Sequence, residues 1–227
     1  MLRLAGVWRI VGVSAWVLSQ IAVLFVAAGR ADVPRLWLFA ATLGGCFVVG
    51  GAIMVKIRPE IVNQRGERKT GTKWWDRVFA AAYVLMIFAL PVVAGLDAGR
   101  YHWSSMGAVS AVLGTVLHVL AATLFGWAMM TNPHFETTVR IQSERDHRVV
   151  TTGPYRLVRH PGYVGGILLS VSVPLMVGSV WTLVPAAVIA LLYVARTALE
   201  DKALRRELVG YGAYAERVKY RLLPLIW

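Results

Sequence analysis

Two short stretches of this sequence hold polar residues whose types and spacing suit the binding and turnover of a small charged ligand. The first runs Thr151-Thr152-Gly153-Pro154-Tyr155-Arg156-Leu157-Val158-Arg159-His160-Pro161-Gly162-Tyr163. Its Gly153-Pro154 and Pro161-Gly162 pairs are turn signals, so it reads as a shaped loop leading into a helix. Pro161 suits the first turn of that helix and His160 its cap. Free amides of that turn would then offer donors to a ligand's carboxylate or ribose. Tyr155 and Tyr163 present aromatic faces for an adenine ring or a cation such as a sulfonium, or else serve as interfacial tyrosines. The second stretch holds Arg196 and Glu200, four positions apart and so on one helix face. They form either an ion pair along the helix or a contact to ligand. Asp201 is one position round and faces elsewhere, toward water or Arg205.

The elements that must position these groups are apolar. A bilayer core needs about 20 apolar residues per helix, and stretches near that length lie at 7–28, 36–55, 78–96, 105–130, 162–179 and 181–199. In lipid every backbone amide must be bonded internally, so such runs form helices. The predicted fold class is all-α, a polytopic membrane bundle of about six transmembrane helices. Only Gly178 and Ser179 separate the last two stretches, which read as a helical hairpin. The first stretch follows Arg3 and Arg9 and ends near Val26, Ala27 and Ala28, but its apolar core is too long for a signal peptide.

Basic residues set the direction. Loops 29–35 and 97–104 hold only Arg30, Arg35 and Arg100, whereas 56–77 carries seven Lys or Arg, 131–161 five and the tail from Arg196 seven. The positive-inside rule then predicts both termini inside. Trp74, Trp75, Trp103, Trp181 and Trp227 fall near span ends, as interfacial anchors do. Both polar stretches land on the cytoplasmic face and can meet there. The chain divides into a four-helix amino-terminal scaffold, 1–130, and a catalytic region, 131–227, with the loop, hairpin and tail. Short loops suggest a bacterial inner membrane. Within the scaffold, His118 is a titratable group inside a span, either bonded to a neighbouring helix or functional.

Composition excludes several classes. The chain is 57% hydrophobic and 16% charged, a membrane composition. Its net charge of +12 sits in short segments between apolar blocks, with no basic face for nucleic acid. The single cysteine, Cys46, allows no internal disulfide and no thiolate metal site. The five histidines are never spaced i, i+4, so no metal centre is expected.

The run His147-Arg148-Val149-Val150-Thr151-Thr152-Gly153-Pro154-Tyr155, then Arg159-His160-Pro161-Gly162-Tyr163-Val164-Gly165, resembles the cofactor segment of isoprenylcysteine carboxyl methyltransferases. Arg196 and Glu200, then Tyr211, Tyr214, Arg217 and Val218, are similar to that family's last helix and tail. The resemblance covers roughly 131–227. It implies that Gln142, His147, Val150, Tyr155, His160, Pro161, Gly162, Tyr163 and Glu200 bind S-adenosylmethionine, and that Arg196 faces the methyl acceptor. Asp201 stands where related enzymes often carry a second Glu, and the first 130 residues do not obviously match the eukaryotic enzymes.

Methyl transfer from a sulfonium is an in-line displacement that needs positioning rather than a covalent nucleophile. A carboxylate acceptor is already ionised near neutral pH, and a bidentate Arg196 contact would orient it. An amine acceptor would instead need a base, His160 or Glu200. The expected acceptor is a lipophilic small molecule or prenylated species arriving through membrane lipid, and the basic 56–77 loop either marks topology or attracts anionic headgroups. Alternatives are phospholipid N-methyltransferase, an NADPH-dependent sterol-type reductase, or a small transporter or assembly factor. The reductase pattern has Phe-Gly-Glu after its Arg-His-Pro-x-Tyr loop, where this chain has Val164-Gly165-Gly166.

Overall fold

The computed structural model describes residues 1–67 and 71–227. Arg68 and Lys69, two of the basic residues counted in the 56–77 loop, lie outside the described residues. Among the described residues the fold is all-α, with no strand. The long helices are α1 (Leu4–Ala28), α2 (Pro34–Ile57), α4 (Trp74–Gly95), α5 (Ala108–Thr131), α6 (Pro161–Val177) and α7 (Leu183–Glu207). Two short ones, α3 (Pro59–Gly66) and α8 (Tyr211–Arg217), complete the set.

The six expected stretches coincide with the six long helices. Five helices are long and apolar enough to cross a membrane, while α6, at 17 residues, is a shorter apolar helix. Its length of about 26 Å, at ~1.5 Å per residue, is at the lower limit for a span. The protein is an integral membrane protein. Leu18, Val48, Val109 and Leu120 are each at least 61% exposed on the outer faces of α1, α2 and α5. So large an apolar surface is expected against lipid and not against water.

Helix ends follow the local chemistry. Gly29 closes α1 at φ 67°, its amide bonded to the Phe25 carbonyl. Gly178 closes α6 at φ 82°, and the amides of Gly178 and Ser179 both bond to the Pro174 carbonyl. This left-handed residue turns the chain toward α7 and makes the predicted hairpin. At the same end of the bundle the structure departs from expectation. Residues Leu96–Tyr101, of which 97–101 were assigned above to a loop, continue α4 as a π-helical turn. The turn buries Asp97, which accepts from the Ser104 amide at 2.7 Å and from the hydroxyls of Ser104 and Ser179. Asp97 thereby pins the α4–α5 connection to the α6–α7 turn.

α6 packs most extensively on α5. Close approach is possible because Gly114 and Gly165 face the partner backbone, as small residues do in membrane helix pairs. A Cβ on Gly114 would lie 2.5 Å from the Met176 nitrogen, and one on Gly165 3.0 Å from Phe125 Cβ. Nearby, buried His118 shares a 2.8 Å hydrogen bond with Ser172 of α6, which is the helix-bonding reading of that residue. Replacing Gly114 with Leu is expected to destabilise the fold by about 1–3 kcal/mol through overpacking. Gly126→Leu, where a Cβ meets nothing within 4 Å, is the control. Thermal unfolding of the two variants in detergent compares them directly.

Candidate active site

At the end of the bundle opposite Asp97, the 132–150 segment, the first turn of α6, the last turns of α7 and α8 enclose a cleft. Its space, open mouth included, is about 920 Å³. Gln142, His147, Val150, Tyr155, His160, Gly162, Tyr163 and Glu200 line it together. Pro161 and Arg196 do not belong to its wall. Pro161 opens α6 as expected, and Arg196 lies behind Tyr163, its guanidinium carbon 5.2 Å from that ring's centre.

The 132–150 wall is irregular in backbone, so side chains must hold it. Arg145 donates to Gln142 Oε1 at 2.7 Å, to Gln64 Oε1 of α3 at 2.6 Å and to the Pro133 carbonyl at 2.8 Å. Gln142 is 2% exposed and donates through Nε2 to the His134 carbonyl. Both ends of its carboxamide are therefore engaged within the wall. The His134 and His147 rings meet with centres 4.4 Å apart and planes tilted by 34°. His147 Nδ1 accepts from the Gln142 amide and His134 Nε2 from the Arg148 amide, both at 3.4 Å. An imidazole that accepts at one nitrogen is neutral and carries its proton on the other. Burial, and then the neighbouring His134 ring, push His147 down to about 4.

Tyr155 stands on a 3₁₀ turn, Gly153–Arg156, with its hydroxyl against Asn132 Nδ2 and the Ala128 carbonyl at the end of α5. Its own carbonyl accepts from the Tyr214 hydroxyl at 2.8 Å, which joins α8 to the loop. Burial raises the Tyr155 phenol and lifts Tyr214 to about 12, so both remain protonated donors. His160 stacks on Tyr163 at 5.5 Å, and the Tyr163 hydroxyl donates to the Glu200 carboxylate.

Three expectations are corrected here. Asp201, read above as facing water or Arg205, does meet Arg205 but does not face water: it is 1% exposed and is the hub of the site's outer edge. It accepts from Arg159 Nε at 2.7 Å, Tyr211 at 2.9 Å, and both Arg205 and Arg221 at 3.2 Å. It turns inward because the polar loop and tail, rather than water, cover that side of α7. The free amides expected at the start of α6 are largely taken. The tail carbonyls of Tyr220 and Arg221 bind the amides of Arg159 and His160, and His160's own carbonyl binds those of Tyr163 and Val164. Finally, Arg196 pairs with Asp76 of α4 at 2.9 Å, an acid just outside the predicted 78–96 stretch but inside the helix that forms. Asp76, Arg159, Asp201 and Lys73 of the cleft wall were all missed as site residues. Asp76 carried a signal, an acid at the start of an apolar helix, but its partner lies 120 positions away (196 − 76).

The sequence profile of the isoprenylcysteine carboxyl methyltransferase (ICMT) family matches residues 112–206. Over that segment, less than half of its length, the chain is similar to the family. The segment contains every cleft residue from Gln142 to Glu200, and leaves Asp76 and the tail outside. A rice relative (Oryza sativa subsp. indica), a probable protein-S-isoprenylcysteine O-methyltransferase, is 28% identical over 131 residues. The alignment covers 56% of this chain and 65% of the relative, so the chain spans less than two thirds of that protein's length. Protein-S-isoprenylcysteine O-methyltransferase B of Arabidopsis thaliana is 28% identical over 123 residues, 52% of this chain and 59% of the relative. The solved structure of the eukaryotic intramembrane Ras methyltransferase ICMT superposes with a TM-score of 0.55 at 17% identity. It covers 93% of this chain and 75% of its own, so the ICMT-like fold extends into the amino-terminal helices that the profile does not match.

Two outcomes follow from this geometry. Truncating Asp201 to Ala leaves Arg159 buried without its counter-ion and is expected to cost about 3–5 kcal/mol, read as a lowered melting temperature. For His147, the folded-state pKa near 4 lies below its ordinary 6.5. Its contribution to stability is therefore complete above the ordinary value and lost as pH falls toward 4. Melting temperature should drop over that window, and His147→Gln should flatten the drop in parallel melts.

Proposed function

We propose that the protein is a membrane methyltransferase that transfers a methyl group from S-adenosylmethionine to the carboxylate of a lipophilic acceptor, of the prenylated-cysteine kind named for its rice and Arabidopsis relatives. The observation that carries this reading is the placement of Glu200 and Arg196. Glu200 is on the wall of a polar cleft, and Arg196 sits one helical turn away on α7 among aromatic rings at the edge of the apolar bundle. A polar cofactor and a lipophilic acceptor would reach these two groups from different solvents.

The cleft fits the cofactor by its donor set. Among the described residues, Thr138 Oγ1 and His134 Nδ1 on its wall are buried without a protein partner, as ligand-binding groups are before the ligand arrives. Gln142, His147, Val150, Tyr155, His160, Pro161, Gly162, Tyr163 and Glu200 would hold the cofactor, Gln142 by fixing the 132–150 wall and Pro161 by fixing the start of α6. When bound, S-adenosylmethionine supplies an electrophilic methyl group on a sulfonium. The Glu200 carboxylate, held by Tyr163, balances positive charge in the cleft, and Arg196 orients the acceptor. The acceptor carboxylate needs no base, which suits a site with no Ser/His/Asp arrangement. Both cleft-forming segments are rich in Lys and Arg, so the positive-inside rule puts the cleft on the cytoplasmic side, and short loops favour a bacterial inner membrane.

Calorimetric titration of the detergent-solubilised protein with S-adenosylhomocysteine, beside NADPH, tests the cofactor. Saturable binding is expected for the former, weakened about ten- to a hundredfold in Glu200→Ala by loss of a charged contact. Binding of NADPH alone would move the assignment to a reductase. With a prenylcysteine acceptor, Arg196→Ala should impair methylation while S-adenosylhomocysteine affinity holds. Methylation of an ethanolamine lipid instead would overturn the carboxylate assignment.

A further inference from the structure

Besides Lys73 on the cleft wall, the amino-terminal half of the chain sends a carboxylate to the site from outside the family match. Asp76 lies in the first turn of α4 and is 1% exposed. One carboxylate oxygen is 2.9 Å from Arg196 Nη2, and the other accepts from the Val139 amide at 2.7 Å. Arg196 Nη2 also donates to the Thr137 carbonyl at 2.9 Å, and its guanidinium lies 4.4 Å from the Phe79 ring centre and 5.2 Å from that of Tyr163. The guanidinium is thus fixed by two oxygens and two aromatic rings. The same acid fixes Val139 on the cleft wall, whose carbonyl in turn takes the Lys73 amide.

One donor of this arrangement is left over. Among the described residues Arg196 Nε is buried without a hydrogen-bond partner, and Asp76 Oδ1 meets Arg196 as an ion pair without a hydrogen bond. A buried guanidinium donor without an acceptor is rare where no ligand is bound, and a carboxylate oxygen is the partner that guanidinium geometry suits.

Resting on the methyltransferase reading, we propose that Asp76 is a positioning residue that holds the Arg196 guanidinium for the acceptor carboxylate and sets the 137–139 wall beside it. The site is then completed by a helix that the 112–206 family match does not include. A purely structural ion pair would affect stability and leave the handling of acceptor unchanged.

Asp76→Asn separates these roles, because the amide keeps an oxygen for Val139 and removes the charge that holds Arg196. Its kcat/KM for a prenylcysteine acceptor is expected to fall about ten- to a hundredfold through a raised KM, with S-adenosylhomocysteine affinity within about twofold of wild type. Asp76→Glu, which keeps the charge one methylene further out, should show a smaller fall of the same kind, and it replaces Asp76→Asn if that variant does not fold. An acceptor KM equal to wild type in both variants would overturn the proposal. If the wild-type protein methylates no acceptor, the methyltransferase reading fails by itself. The hold on Arg196 is then read from its ¹⁵Nε–H resonance, identified by its loss in Arg196→Lys. Slow exchange that is abolished in Asp76→Asn sustains the role of Asp76, and identical exchange in both proteins overturns it.

Discussion

A carboxylate cannot be buried as an ion unless donors replace the water it loses. Asp201, one helical position beyond Glu200, meets that demand with Arg159 from the loop before α6, Tyr211 from α8, Arg205 from its own helix and Arg221 from the tail. Arg159 in turn donates to the carbonyls of Val218 and Lys219 at 2.7 and 2.8 Å. Four segments that are separate in sequence are thereby held to one point. The rest of the cleft depends on this, because α6 can present His160 and Tyr163 only while the loop ahead of it is fixed. A buried ion cluster contributes little net stability over apolar packing. What it contributes here is a single geometry for a loop and a tail that have few apolar contacts of their own.

The second ion pair, Asp76 with Arg196, does for the membrane side what Asp201 does for the aqueous side. Between them stand Tyr163 and Glu200, linked by a hydrogen bond. The Phe79, Tyr83, Tyr163 and Tyr193 rings, with neighbouring centres 5.3–5.6 Å apart, pack beneath them. A charged group placed at that depth is costly unless it is paired, so each of Arg196, Asp76 and Asp201 has its partner supplied from another element. The cleft opens above this layer and the apolar bundle lies below it. The two ends of the bundle use the same device, since buried Asp97 ties the opposite turns together through serine hydroxyls.

How far the sequence reaches can be judged from particular residues. Apolar runs near the length of a bilayer core form helices wherever they are placed, because unpaired amides are intolerable in lipid. The six long helices, the glycine turn at 178 and the hairpin were legible for that reason. Tyr155, His160, Gly162 and Tyr163 were legible because Gly-Pro and Pro-Gly turns and a capping His mark a shaped loop locally, and Glu200 because helical spacing ties it to Arg196, whereas Gln142, His147 and Val150 came only from the resemblance to a known family. The π-helical turn at Leu96–Tyr101 was not legible, since it exists to bury Asp97 against Ser179, a partner far along the chain.

The sequence by itself therefore determined the membrane class of the protein, its helices and the shaped loop ahead of α6, all of which follow from local composition and short spacing. Only the tertiary structure decided the partners of the charges. Asp201 looked outward because helical spacing says which residues share a face but not what covers that face. Arg196 had Glu200 as its apparent neighbour, yet its ion pair is with Asp76, because the bundle brings the first turn of α4 beside the last turns of α7. Long-range pairing of buried charges is set by how helices pack, and no local pattern in the chain encodes it.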